Sequence, residues 1–109
     1  MAPIFMGSSQ AKIFFSRLEL ACKTALASGH DVGIQGRALK CFPMGQHYHP
    51  DGFDCFEADM VLPKERFSTF LNETWFSYRD AKERGLLVLL DCEKGTISPI
   101  GDDLADDAS

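Results

Sequence analysis

Along residues 9–28, apolar side chains recur at helical spacing. Ala11, Phe14, Phe15, Leu18, Ala21, Cys22 and Ala25 follow the i, i+3, i+4, i+7 rule and share one stripe. The pattern predicts a helix with Ser8 or Ser9 as N-cap and Gly29 as a left-handed C-cap. Ile13 and Leu20 stand off the stripe, one heptad apart, as a wider core face or an exposed contact ridge. A second helical pattern covers residues 63–84. Pro63 suits the first helical position and Gly85 the C-cap. Phe67, Phe70, Leu71, Thr74, Trp75 and Tyr78 line its core face, and Phe76 stands apart from them.

Between the helices the period changes to two. Residues 32–43 carry Val32, Ile34, Ala38 and Phe42 at even positions, and residues 53–61 carry Phe56, Ala58 and Met60. Gly33 and Gly36 mark a bend or bulge within the first of these strands. Pro50-Asp51-Gly52 is a turn signal, because proline presets one turn dihedral and glycine accepts the left-handed one. A hairpin closed there pairs His49 with Phe53, Met44 with Ala58 and Phe42 with Met60. It leaves a polar odd-numbered face exposed. Residues 86–92 are apolar at consecutive positions, as in a strand buried on both faces, and Thr96-Ile97-Ser98 can add a neighbour.

These elements predict an α+β two-layer sandwich with two helices on one face of an antiparallel sheet, in the order (β)αββαβ(β). With Ile4-Phe5-Met6 as a leading strand the order contains the ferredoxin-like βαββαβ pattern. Residues 1–100 form the expected single domain, and 101–109 a disordered acidic tail. No internal repeat is evident in the residues.

Composition narrows the class without naming an activity. A chain of 109 residues with 45% hydrophobic and 25% charged residues is ordinary for a globular domain. Its net charge of −5 is concentrated at one end, in Asp102, Asp103, Asp106 and Asp107, so the rest of the chain is close to neutral. That excludes a uniformly acidic duplex mimic. Nucleic acid is an unexpected partner for another reason, since no basic, aromatic-studded strand face is in view. The longest apolar run, 86–90, is far shorter than the roughly 20 residues of a spanning helix, and no membrane association is expected. The first residues carry no basic, apolar secretory pattern, so a cytoplasmic location is expected, with Cys22, Cys41, Cys55 and Cys92 as free thiols.

Candidate chemistry gathers around residues 41–59. Cys41, His47, His49 and Cys55 offer thiolate and imidazole ligands of the kind zinc accepts. Cys41 lies six residues before His47, about 20 Å along an extended strand, so His47, His49 and Cys55 make the easier three-ligand set. His47 or His49 beside Glu57 or Asp59 could exchange protons near neutral pH. No catalytic or phosphate-binding motif accompanies them. The expected function is therefore a small non-enzymatic protein-binding module of the inhibitor, immunity or regulatory kind. Its contacts are expected on an exposed sheet face and the 44–52 loop, through Arg37, His47, Tyr48, His49, Phe53, Cys55, Glu57 and Asp59. The alternatives are a zinc-binding protein and a small enzyme whose site forms across a homodimer at strand 86–92.

Overall fold

The structure is a computed structural model, and it describes residues 2–44 and 58–100. The elements run β1 (Ile4–Met6), α1 (Ser8–Ser28), β2 (Val32–Gln35), β3 (Lys40–Pro43), β4 (Met60–Leu62), α2 (Phe67–Arg84), β5 (Leu87–Asp91) and β6 (Thr96–Ile100). A 3₁₀ turn, Lys64–Arg66, leads into α2. The fold is α+β, with two helices and two antiparallel three-stranded sheets among the described residues. One sheet is ordered β1-β5-β6 and the other β3-β2-β4.

The helices follow their stripes. Ala11, Phe14, Leu18, Ala21, Cys22 and Ala25 are buried on α1, whereas Ile13 and Leu20 are exposed. The start of α1 lies one residue earlier than a Ser8 cap implies and two earlier than a Ser9 cap implies. Gly7 occupies the N-cap position, and the Gln10 side chain reaches back to accept its backbone N–H at 3.1 Å. Both helices end at a left-handed glycine, Gly29 (φ 74°) and Gly85 (φ 70°). On α2, Thr74 and Ser77 are buried, and each hydroxyl donates to a carbonyl four residues back. The aromatic face is less enclosed than its spacing implies: Phe67, Phe70 and Tyr78 are core, but Trp75 remains 39% exposed.

The strands depart from the expected hairpin. The 32–43 run is two strands joined by a turn over 36–39, so Gly33 faces Phe42 and Ile34 faces Cys41. Met60 pairs with Ile34, not with Phe42, and β3 and β4 lie on opposite sides of β2. The turn reverses the face on which each parity lies, which is why an uninterrupted even-numbered core face fails. Pairing divided between two sheets also differs from the single-sheet ferredoxin-like expectation. Residues 4–6 do form a strand. β5 is central, but its outer face is open, with Leu87 exposed and Leu89 half-buried. Both hydrogen-bonding edges of β5 are occupied within the chain, by β1 and β6.

The whole arrangement repeats. Each element of the second half lies 56 positions after a counterpart in the first: Ile4 and Met60, Val32 and Val88, Lys40 and Thr96, Gly29 and Gly85. The chain is thus two βαββ units, and each lends its first strand to the other. β1 pairs with β5, β4 pairs with β2, and the registers match residue for residue, Ile4 opposite Leu90 and Met60 opposite Ile34. Buried positions correspond as well: Phe14 with Phe70, Leu18 with Thr74, Val32 with Val88, Ile34 with Leu90. Gly36, whose counterpart is Cys92, sits where the halves meet. A Cβ there would collide with the Ile4 side chain and come within 3.3 Å of the Cys92 sulfur.

Equivalence of the two halves is directly testable. Phe14→Ala and Phe70→Ala should each cost about 3–5 kcal/mol in urea unfolding, a large part of a typical total of about 5–15 kcal/mol. A near-neutral effect at either position would contradict a core shared evenly between the units.

Candidate functional site

Two surfaces remain open once the core is closed. The first is the sheet face turned away from the helices. Cross-strand partners share a face, so Phe5, Leu89 and Ser98 lie together on one sheet, and Val61, Gly33 and Phe42 on the other. Phe5 and Val61 occupy counterpart positions in the two units and are 56% and 48% exposed. Leu87 is exposed on the same sheet as Phe5. Among the described residues this face has apolar side chains at its middle and polar ones beyond them, with Gln35 and Lys40 on one sheet and Asp91, Thr96 and Ser98 on the other. Gly33 has no side chain of its own, and its place is filled from neighbours: a Cβ there would lie 2.6 Å from both the Met44 sulfur and the Phe42 ring. Met44, the last residue of the 44–52 loop that is described, therefore belongs to this face.

The second surface is the seam between α1 and α2. A cleft of about 460 Å³ lies there, floored by Phe15, Leu71 and Trp75, with the Phe15 and Trp75 rings 5.1 Å apart. Phe15 and Leu71 are counterparts in the two units, so the cleft straddles the axis relating them. It continues in both directions. Ser68 and Leu71 also line a depression with Lys23 and Lys64, and Trp75 also lines one with Arg79 and Lys82.

The expected contact residues divide sharply. His47, Tyr48, His49, Phe53, Cys55 and Glu57 lie outside the described residues, and so does the three-residue metal set His47, His49 and Cys55. Arg37 is exposed in the β2–β3 turn. Asp59 is engaged within the fold: its carboxylate accepts the Gly36 backbone N–H at 2.8 Å, and its own N–H donates to Ile34 at 2.8 Å. It pins the β2–β3 turn to the start of β4 and is a structural residue. Among the described residues no group of three His, Cys, Asp or Glu side chains could hold a metal ion.

Burial governs the described thiols. It raises the pKa of Cys22 to about 11, of Cys41 to about 12 and of Cys92 to about 11. At Cys41 the neighbouring Cys22 adds to the rise, and at Cys92 the Asp59 and Asp91 carboxylates do. All three are protonated near neutral pH, hence weak nucleophiles and weak metal ligands, packed as small hydrophobes. Sequence reasoning passes over the seam because it treats Trp75 as core. The telling signal is Glu19, the counterpart of Trp75 and a lining residue of the same cleft, which marks this helical position as open on both helices.

A comparison with protein-family models finds no match, and comparisons with curated proteins and with solved structures likewise match nothing. No described helix is long and apolar enough to cross a membrane.

The thiol environment yields a pH signature. The folded pKa values lie above the unfolded value near 9, so this contribution to stability is complete below pH 9. It is lost as pH rises toward about 11 to 12. Disulfide-exchange labelling at pH 8 should modify Cys22, Cys41 and Cys92 at least about tenfold more slowly in the folded chain than in urea, in line with suppressed thiolate. Equal rates would show that burial does not control them.

Proposed function

We propose that this protein is a cytoplasmic protein-binding module that acts by covering a partner's surface with the open side of its sheets. The observation that carries the reading is the matched pair Phe5 and Val61. Two large apolar side chains at counterpart positions stand about half exposed, Phe5 on one sheet near Leu87 and Val61 on the other sheet beside Gly33 and Phe42. Scattered exposed apolar residues are ordinary, but a contiguous group on a sheet face is a binding surface in the general case. Met44, packed against Gly33, extends the apolar group on its sheet, and Arg37 in the β2–β3 turn is exposed. The binding partner is then a protein with a complementary apolar patch, because the described face offers few charges for recognising nucleic acid or lipid headgroups.

Affinity capture from the native host with quantitative identification tests this reading. The double variant Phe5→Ser, Val61→Ser should lose at least about tenfold of the captured partner, since central apolar contacts carry most interface energy, each about 1–2 kcal/mol or more. Its urea midpoint should stay near the parent value, because both side chains are exposed. Undiminished capture by a folded variant refutes the sheet face as the contact surface.

A further inference from the structure

The α1–α2 seam has a charge pattern that the sheet face lacks. Its apolar middle of Phe15, Leu71 and Trp75 is flanked by Lys23 and Lys64 at one end and by Arg79 and Lys82 at the other. Glu19 and Glu83 also line it, and Glu83 is 3.4 Å from Arg79. The balance along the groove is positive on a body whose first 100 residues are slightly negative, with 12 acidic and 11 basic side chains. A complementary pattern follows β6 directly. Residues 101–109 read Gly-Asp-Asp-Leu-Ala-Asp-Asp-Ala-Ser: two carboxylates, an apolar centre at Leu104 and Ala105, then two more carboxylates.

The chain also reaches this groove from the correct place. Ile100 pairs with Leu87, just beyond Gly85 where α2 ends. Lys82 and Arg79 lie on the last turns of that helix, at the near end of the groove. From Lys82 back to Trp75 is seven residues, about 10 Å along a helix. The path from Ile100 also includes the step across to Leu87 and up to Lys82, and the nine residues of 101–109, about 30 Å when extended, are long enough to cover it. The segment can therefore run past Lys82 and Arg79 and along the groove to Trp75.

We propose that the α1–α2 groove is an intramolecular docking site for residues 101–109, whose carboxylates would meet the flanking cations and whose apolar centre would meet the Phe15–Leu71–Trp75 floor. The segment then guards the groove, and any other acidic, apolar-centred ligand must compete with it. Short tethers give effective concentrations in the millimolar range, so an affinity of only about 0.1 mM in trans keeps the groove roughly nine-tenths filled. The inference does not depend on the sheet face being a contact surface, and it fails or holds separately.

Trp75 is the chain's single tryptophan and reports the groove directly. Acrylamide quenching of its fluorescence should rise roughly two-fold when the chain is truncated after Ile100, as an occupied groove is emptied. The same rise should follow in the full chain when salt is raised from 0.1 to 1 M, which shortens the screening length from about 10 to about 3 Å. It should also follow from Arg79→Glu with Lys82→Glu. A peptide of residues 100–109 added to the truncated chain should restore protection. If truncation impairs folding, the full-length variant carrying Asp102→Asn, Asp103→Asn, Asp106→Asn and Asp107→Asn makes the same measurement with the chain length intact. Quenching that is identical in the full chain and these variants overturns the proposal. Protection that grows with protein concentration from micromolar to hundreds of micromolar also overturns it, by assigning the groove to a second copy.

Discussion

Each three-stranded sheet in this protein is completed by a strand from the other half of the chain. β1 supplies an edge to β5 and β4 supplies one to β2, in matching registers. Everything else is arranged around that exchange. A two-stranded ribbon is marginal in water, whereas a third strand and a helix make a stable layer. Neither βαββ unit holds its own third strand, so the units are committed to one another. The shared core follows, with Met6 and Leu62 buried on the exchanged strands beside Phe14 and Phe70 from the helices. Close approach at Gly36 follows as well, because the strand that ends there meets the start of β1 and the Cys92 turn. The seam between α1 and α2 lies on the same axis, which is why the floor of its cleft is built from counterpart residues.

Much of this architecture is legible in the residues, and the failures have physical causes. Helical period and glycine caps locate α1 and the end of α2 to within a residue or two, whereas the pattern from residue 63 begins four residues before α2 and takes in the Lys64–Arg66 3₁₀ turn. Residues 4–6 and 96–100 are recognisable as strands, the first from its apolar triplet and the second from the turn before it. The two hairpin turns make an instructive pair. In the second half the left-handed position is Gly95, and the turn is visible. In the first half the same position is Leu39, held at φ 53°, and nothing in the sequence announces a reversal there. Arg17 helps hold it, donating to the Leu39 carbonyl at 2.9 Å, just as Arg66 donates to the Gly95 carbonyl at 3.0 Å. A missed turn inverts the face assignment of everything after it, which is why the sequence pattern pairs Phe42 with Met60 whereas the structure pairs Ile34 with Met60.

The repeat itself is hidden for a related reason. Between residues 4–43 and 60–99 the halves share Phe14/Phe70, Ala25/Ala81, Gly29/Gly85, Val32/Val88 and Pro43/Pro99, and the remaining positions differ. Core positions conserve burial without conserving volume: Ala11 corresponds to Phe67, and Cys22 to Tyr78. Packing constrains the sum of side-chain volumes around a core more than the identity at any one place. The candidate surfaces were less legible still. Most expected contact residues lie beyond the described segments, Asp59 proved to be a turn-fixing acceptor, and Trp75 kept a helical spacing that looks like core while standing at its margin.

The exchanged strands also set an order on the folding of the nascent chain. β1 is made well before its partner β5, which ends at Asp91. β2 likewise waits for β4 before its sheet is complete. While synthesis proceeds, the apolar side of α1 and the Ile4–Met6 segment have no finished sheet to rest on. Helix α1 can form early from local contacts, but closure of both sheets is a late event tied to long loops, the slow class of topology. The two halves become native together, once β5 is in place to receive β1.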